Sequence, residues 1–179
     1  MVDQALAQEV KPFVLGIAGG SGAGKTTLAQ GLADHYGDQA AVLQFGTYYL
    51  PEGSVPNFEG VAVWDHPEAW DHQRFAADLR TLIGSSRKPL VITEGFLLLA
   101  YDEVRSQLDH AIYLDGPLEE HVARRLHEFP DRYPKGLFER LHKQYVLPTK
   151  SHANTIYDTT GKNIETVRHE ILHILGTLR

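Results

Sequence analysis

Apolar residues gather along this chain in five short runs: Phe13 to Ala18, Ala41 to Phe45, Pro89 to Thr93, Ala111 to Leu114 and Thr155 to Tyr157. Each is rich in β-branched or aromatic residues and bounded by Gly, Pro or Asp, the pattern of buried strands. Between them, apolar positions recur at helical spacing over about 25–37, 67–83, 102–108, 117–128, 136–146 and 163–178. Strands alternating with helices predict an α/β fold, a parallel sheet covered on both faces in a three-layer α/β/α arrangement. No internal repeat, low-complexity tract or linker divides the chain, so residues 1–179 read as a single domain. Two stretches rich in Pro, Gly and aromatic residues, 47–66 and 129–136, are the natural places for a substrate loop and a mobile lid.

Composition narrows the classes. At 42% hydrophobic and 22% charged residues, the 179-residue chain has the material for one full core. Its 17 Lys and Arg against 23 Asp and Glu leave a formal charge of −6, which argues against nucleic acid or a membrane surface as partner and for a small soluble one. With no cysteine there is neither a disulfide framework nor a thiolate zinc site. The first residues lack the basic start and apolar run of a signal peptide, and no segment reaches the roughly 18 apolar residues of a membrane span, so the expectation is a cytoplasmic protein.

The stretch Gly19 to Thr26, GGSGAGKT, satisfies G-x-x-x-x-G-K-S/T, and it follows a predicted strand and opens a predicted helix, the context this phosphate-binding loop (P-loop) requires. Its glycines let successive backbone N–H groups turn inward around phosphate oxygens, and the helix N-terminus adds partial positive charge. The nucleotide-binding residues are therefore Gly20, Ser21, Gly22, Ala23, Gly24, Lys25, Thr26 and Thr27. Lys25 is expected to reach the β- and γ-phosphates of ATP, and the Thr26 hydroxyl to bind Mg²⁺. A P-loop does not by itself separate kinases from GTPases or motor ATPases. The chain has no N-K-x-D run to read guanine and is short for a motor, which leaves a small-molecule kinase.

Further along, TYY at 47–49, WDHPEAWD at 64–71, EGFLL at 94–98, the pair Arg124 and Arg125, and QYVLPTKSHAN at 144–154 follow one another. In this order they resemble the uridine kinase, phosphoribulokinase and nicotinamide riboside kinase group over about residues 13 to 178. The resemblance implies a P-loop NTPase fold with a five-stranded parallel sheet of order 2-3-1-4-5. It also implies ATP- and Mg²⁺-dependent phosphorylation of a primary hydroxyl, usually the 5′-hydroxyl of a ribonucleoside. Nicotinamide riboside, pantothenate or a sugar are the alternative acceptors, and a homo-oligomer is compatible with the group.

The candidate catalytic residues are Lys25, Asp65, Glu94, Arg124 and Arg125. A carboxylate at Asp65 can accept hydrogen bonds from both hydroxyls of a ribose, the role that the resemblance implies. Alternatively, Asp65 or His66 caps a helix beginning at Pro67. His66, Tyr48 and Tyr49 are candidate acceptor contacts or, equally, loop anchors. Glu94 ends a strand at the carboxyl edge of the sheet, where ligands of such folds bind, and with Thr26 is a candidate metal ligand. Arg124 and Arg125 precede the 129–136 loop, which carries Arg132 and Lys135, so a lid over about 124–136 could bring arginines onto the transferring phosphoryl group, with Arg132 at the acceptor. The competing reading is a solvated helix face on which Glu120 and Arg124 pair.

The chain also departs from the group. The R-R-D and R-G-R lid pattern is only partly matched, and the segment before L-P-T-K is shorter. Gly46 stands where the group has an aspartate, its presumed base for the acceptor hydroxyl. Either Asp65 or Glu94 takes that role, or the protein is a nucleotide binder with weak transferase activity. Finally, His169 to His173 matches the zinc-protease signature H-E-x-x-H. The apolar stripe of its helix, Ile164, Val167, Ile171, Ile174, Leu175 and Leu178, leaves both histidines on the opposite, solvent side.

Overall fold

The first apolar run forms the strand on which the others assemble. The computed structural model describes residues 11–58, 60–130, 133, 134 and 136–178. In chain order its strands are β1 (Phe13–Gly19), β2 (Ala40–Gln44), the short β3 (Asn57–Phe58) and β4 (Val61–Ala62), β5 (Leu90–Glu94), β6 (His110–Asp115) and β7 (Thr155–Asp158). Five of them make one sheet in the order β2-β5-β1-β6-β7, with every neighbouring pair parallel. Counted along the chain these are strands 2-3-1-4-5, the expected order. The register pairs Val14 with Val91 and Gly16 with Ala111, which places β1 at the centre.

Alternation within β1 sends its side chains to two cores. Leu15 and Ile17 join Leu90, Ile92, Ile112 and Leu114 on one face, beneath α1 (Lys25–Tyr36) and α6 (Ile164–Thr177). Val14 joins Val91 on the other, beneath α2 (His72–Ser85) and α3 (Asp102–Arg105). Helical spacing selects what each helix buries: Leu28, Ala29 and Leu32 on α1, Val167, Ile171 and Leu175 on α6, and Phe75, Ala76 and Leu79 on α2. Each fully buried Leu, Ile or Phe contributes roughly 1.5–3 kcal/mol. The remaining helices are α4 (Leu118–Glu128) and α5 (Leu137–Leu141). Among the described residues no helix is long and apolar enough to cross a membrane.

Three of the expected helices differ in extent. The 67–83 pattern splits into a 3₁₀ turn at Pro67–Ala69 and then α2, because the Asp71 side chain accepts from the Arg74 backbone N–H and restarts the helix there. The 102–108 pattern yields only α3 before the chain turns to β6. The 136–146 pattern begins as α5, widens into a π-helical turn at His142–Val146 and tightens into 3₁₀ turns at Leu147–His152. The hairpin of β3 and β4 lies inside the stretch expected to be loop, where Asn57 Oδ1 accepts from Gly60 N at 2.8 Å.

The loop after β2 is anchored by aromatic packing. Phe45 is fully buried, stacked on Trp70 at 4.8 Å and edge-on to Phe75 at 4.8 Å. Two backbone hydrogen bonds, Leu50 N to Ala69 O (2.9 Å) and Asp71 N to Tyr48 O (2.8 Å), fasten the same loop to the entrance of α2. Phe45→Ala should therefore cost about 3–5 kcal/mol of folding stability. An unfolding free energy from urea titration lowered by less than about 1 kcal/mol would show that this aromatic stack is not part of the cooperative core.

Candidate active site

The P-loop begins where β1 leaves the sheet. Gly22 has φ 83°, and a Cβ there would lie 2.5 Å from the His121 carbonyl oxygen, so only glycine fits between the loop and α4. Lys25 opens α1, is 8% exposed and donates from Nζ to Gly20 O at 2.8 Å. Burial pushes its ammonium down to about 8, with Arg125 adding to the fall and Glu94 and Asp65 opposing it. The Thr26 hydroxyl donates to Glu94 Oε1 at 3.0 Å, tying the first turn of α1 to the end of β5.

Facing the loop are two buried groups of opposite charge. Asp65 is 4% exposed and Arg125 7%. Their nearest approach, Arg125 Nη2 to Asp65 Oδ2, is 3.7 Å, within ion-pair range but too long for a hydrogen bond. Asp65 Oδ2 and Arg125 Nε have no hydrogen-bond partner among the described residues. The Arg125 guanidinium lies over the Phe129 ring at 4.2 Å. Arg124 combines both readings of its sequence position: one nitrogen pairs with Glu120 at 2.9 Å and another donates to Gly22 O at 2.7 Å.

These groups share one cleft of about 840 Å³. The P-loop from Ser21 to Thr27 forms its floor, with Asp65, Glu94, Arg124 and Arg125 around it. Gly46, Tyr49, Trp70 and Phe96 also line it, as do Thr159, Lys162, Ile164 and Val167; Gly46 and Tyr49 follow β2 at one edge of the sheet and Thr159 follows β7 at the other. The two tyrosines separate: Tyr49 lines the cleft, whereas the Tyr48 hydroxyl donates to Asp78 at 2.9 Å and its ring packs on Phe75. His66 is not among the lining residues. Its Nδ1 accepts from Glu68 N at 3.2 Å, capping the 3₁₀ turn, and its ring meets Tyr145 edge-on. The cap is thus His66 and not Asp65, whose carboxylate stays with the cleft. Arg132 and Lys135 lie outside the described residues. His169 and His173 are exposed on α6, away from the cleft.

Sequence reasoning missed Trp70, Phe96, Glu128 and Phe129 on the walls, and Thr159, Lys162, Ile164 and Val167 after β7. For Phe96 and Thr159 a signal existed, since both follow a parallel strand at its carboxyl end, where such folds bind ligands.

No protein-family model matches this chain. A uridine kinase from Leuconostoc citreum is 31% identical over 87% of this chain and 91% of its own length. The chain belongs to the uridine kinase family. A uridine kinase from Geobacillus kaustophilus is 29% identical over 86% of this chain and 89% of its own length. The solved structure of a possible uridine kinase from Bacillus stearothermophilus shares the fold, with a TM-score of 0.57 and 20% identity over 82% of this chain and 89% of that one. As a member of this family the protein is an ATP-dependent phosphotransferase acting on a hydroxyl of a small molecule.

Membership makes Gly46 a conspicuous position. It sits exposed in the 3₁₀ turn Phe45–Thr47 beside the cleft, its φ is not positive, and a Cβ there would meet nothing within 4 Å. Neither strain nor crowding requires glycine.

Behind the P-loop two imidazoles flank Gly20, where a Cβ would lie 2.7 Å from His142 Cε1 and 3.0 Å from His121 Nδ1. His121 is 2% exposed and His142 7%, and neither ring nitrogen of His121 has a hydrogen-bond partner among the described residues. Burial lowers His121 from 6.5 to about 4, with Arg124, His142 and Lys25 adding to it and Asp115 opposing. Burial lowers His142 as well, with Lys25 next in effect. The folded protein keeps these rings neutral, while the unfolded chain takes up their protons below its ordinary value. The stability that neutral His121 allows is complete above about pH 6.5 and falls as pH drops toward 4, with a limiting slope of about 1.4 kcal/mol per pH unit, and His142 acts in the same direction. His121→Phe, which forfeits no hydrogen bond and cannot ionise, should flatten the fall in urea midpoint over that window. An unchanged difference between wild type and variant from pH 6.5 to 4 would mean that His121 titrates normally.

Proposed function

We propose that the protein transfers the γ-phosphate of ATP to the 5′-hydroxyl of a ribonucleoside with Mg²⁺, and that Asp65 is the base. The reading is carried by the convergence of Lys25, Glu94, Asp65 and Arg125 on one cleft, with a carboxylate oxygen of Asp65 buried and without a hydrogen-bond partner among the described residues. Such an oxygen is costly to bury unless a hydroxyl or another donor meets it. Tyr49, exposed at the cleft and backed by the buried Trp70, favours an acceptor with a planar base, because a ring can pack against it.

Lys25 and the amides of Ser21 to Thr27 hold the phosphates, and the negative charge they bring counters the depressed protonation of the lysine. Thr26 Oγ1 and Glu94 Oε1, 3.0 Å apart, are oxygen donors of the kind Mg²⁺ takes, few in number, with phosphate and water completing the set. When bound, Mg²⁺ would be held by Thr26 and Glu94 and would neutralise negative charge developing on the transferring phosphoryl group. Arg124, which donates to Gly22 O of the P-loop, and Arg125 supply positive charge to the transferring group. The acceptor oxygen forms its bond to the γ-phosphorus as the bond to the ADP oxygen breaks, and its proton passes to Asp65 Oδ2. Of the other carboxylates lining the cleft, Glu94 is engaged by Thr26 and Glu128 is exposed on α4. A second reading, a nucleotide binder with weak transferase activity, is favoured by Gly46, which brings no carboxylate of its own.

The acceptor is found by a thermal-shift screen of ribonucleosides, nicotinamide riboside, pantothenate and sugars with Mg²⁺ and a non-hydrolysable ATP analogue. A ligand at 100 times its dissociation constant adds about 2.7 kcal/mol of stability. A ribonucleoside should give the largest shift, and a response confined to pantothenate or sugars would move the acceptor to that class. With the acceptor in hand, Asp65→Asn should lower turnover about 10²- to 10⁴-fold and leave the KM for ATP nearly unchanged. Adding Gly46→Asp to that variant should restore part of the loss, since the site has room for the side chain. If Gly46→Asp alone raises turnover as strongly as Asp65→Asn lowers it, Asp65 is not the base.

A further inference from the structure

Asp65 lies in a stretch that belongs to neither helix nor strand, between the hairpin and the 3₁₀ turn at Pro67, so its position must be set by contacts from elsewhere. Its carboxylate faces Arg125 of α4. Its backbone N–H donates to the Tyr133 hydroxyl at 3.0 Å, a contact that spans 68 residues of sequence. The Tyr133 ring is itself seated, packed on the small apolar cluster of Val63, Leu137 and Leu141. Val63 is two residues before Asp65, and Val63 N donates to Pro56 O at 2.7 Å, so this cluster fastens the hairpin, the Asp65 stretch and α5 to one another.

We propose that Tyr133 is a positioning residue for the phosphoryl-acceptor site: its hydroxyl fixes the Asp65 main chain so that the carboxylate is held between Arg125 and the acceptor. The proposal rests on the reading of Asp65 as the residue that meets the acceptor. Tyr133 is not among the residues lining the cleft, so its effect passes through Asp65. A neutral hydrogen bond is modest in energy, yet a part-buried N–H left without its acceptor is penalised, and a carboxylate that must be in place within a fraction of an ångström for in-line attack amplifies a small shift. The phosphate-binding groups Lys25, Thr26 and Glu94 belong to α1 and β5 and are held by hydrogen bonds of their own, so nucleotide binding should be insensitive to Tyr133.

The test is Tyr133→Phe, which keeps the ring in its apolar seat and removes only the hydroxyl. Turnover over acceptor KM should fall roughly 3- to 10-fold, the worth of one such hydrogen bond, with the KM for ATP and the melting temperature nearly unchanged. Amide exchange measured by NMR at Asp65 should speed up in the same variant with no substrate present. In the Asp65→Asn background the same substitution should have little further kinetic effect, because the group it positions is gone; this non-additivity is what a merely structural role would not produce. Equal factors in both backgrounds, or unaltered Asp65 amide exchange, would overturn the positioning role. An Asp65→Asn protein with normal kinetics on every acceptor would instead remove the reading of Asp65, while the exchange measurement would still report on the hydrogen bond.

Discussion

Because all five strands of the main sheet run parallel, their carboxyl ends meet along one edge, and the P-loop and Glu94 are placed where the chain leaves the sheet there. The P-loop follows β1, Gly46 and Tyr49 follow β2, Glu94 ends β5 and Thr159 follows β7. A parallel sheet forces this, since each crossover returns the chain to start the next strand from the opposite end. The hydrogen bond from Thr26 to Glu94 then joins two exits that are neighbours in the sheet and 68 residues apart in sequence.

The stability of the two cores is partly used to hold charges and polar groups where they would not go by themselves. Lys25 is kept below its ordinary pKa by burial, and Asp65 and Arg125 are buried side by side without a hydrogen bond between them. His121 and His142 are kept neutral against the back of the loop. None of these arrangements is what folding alone would favour, because a buried ion pair with unsatisfied atoms is destabilising relative to an apolar replacement. They make sense as a surface complementary to a polyanion and a hydroxyl, whose arrival supplies the missing partners.

The end of the cleft proposed for the acceptor is organised differently from the P-loop end. The P-loop takes its shape from local backbone conformation, through glycines and a helix N-terminus. The proposed acceptor end has no such local code and is assembled by long-range packing: Phe45 on Trp70 and Phe75, Trp70 against Tyr49 and Phe96, and Tyr133 against Val63 and the Asp65 backbone.

The five strands and the P-loop were legible in the amino-acid sequence because they rest on short-range signals: dense apolar runs, helical spacing and a glycine pattern at a strand-helix junction; the order of the strands came instead from the resemblance of the motifs to a known family. Glu94 was legible for the same reason, as the last residue of a buried strand. The solvent side of His169 and His173 followed from the stripe through Val167, Ile171 and Leu175. What the local pattern could not decide was which of several equivalent residues turns inward. Tyr48 and Tyr49 are adjacent and alike, yet one bonds Asp78 on α2 and the other lines the cleft. Asp65 and His66 were both candidates for the cap, and the choice went to His66 because a buried Asp65 is drawn toward Arg125. The split of the helix at Asp71, the hairpin at 57–62 and the contact from Tyr133 to Asp65 depend on which segments the folded chain brings together. Propensity and periodicity describe a residue's neighbours along the chain, whereas the orientation of these side chains is set by partners far away in it, and only the tertiary structure names them.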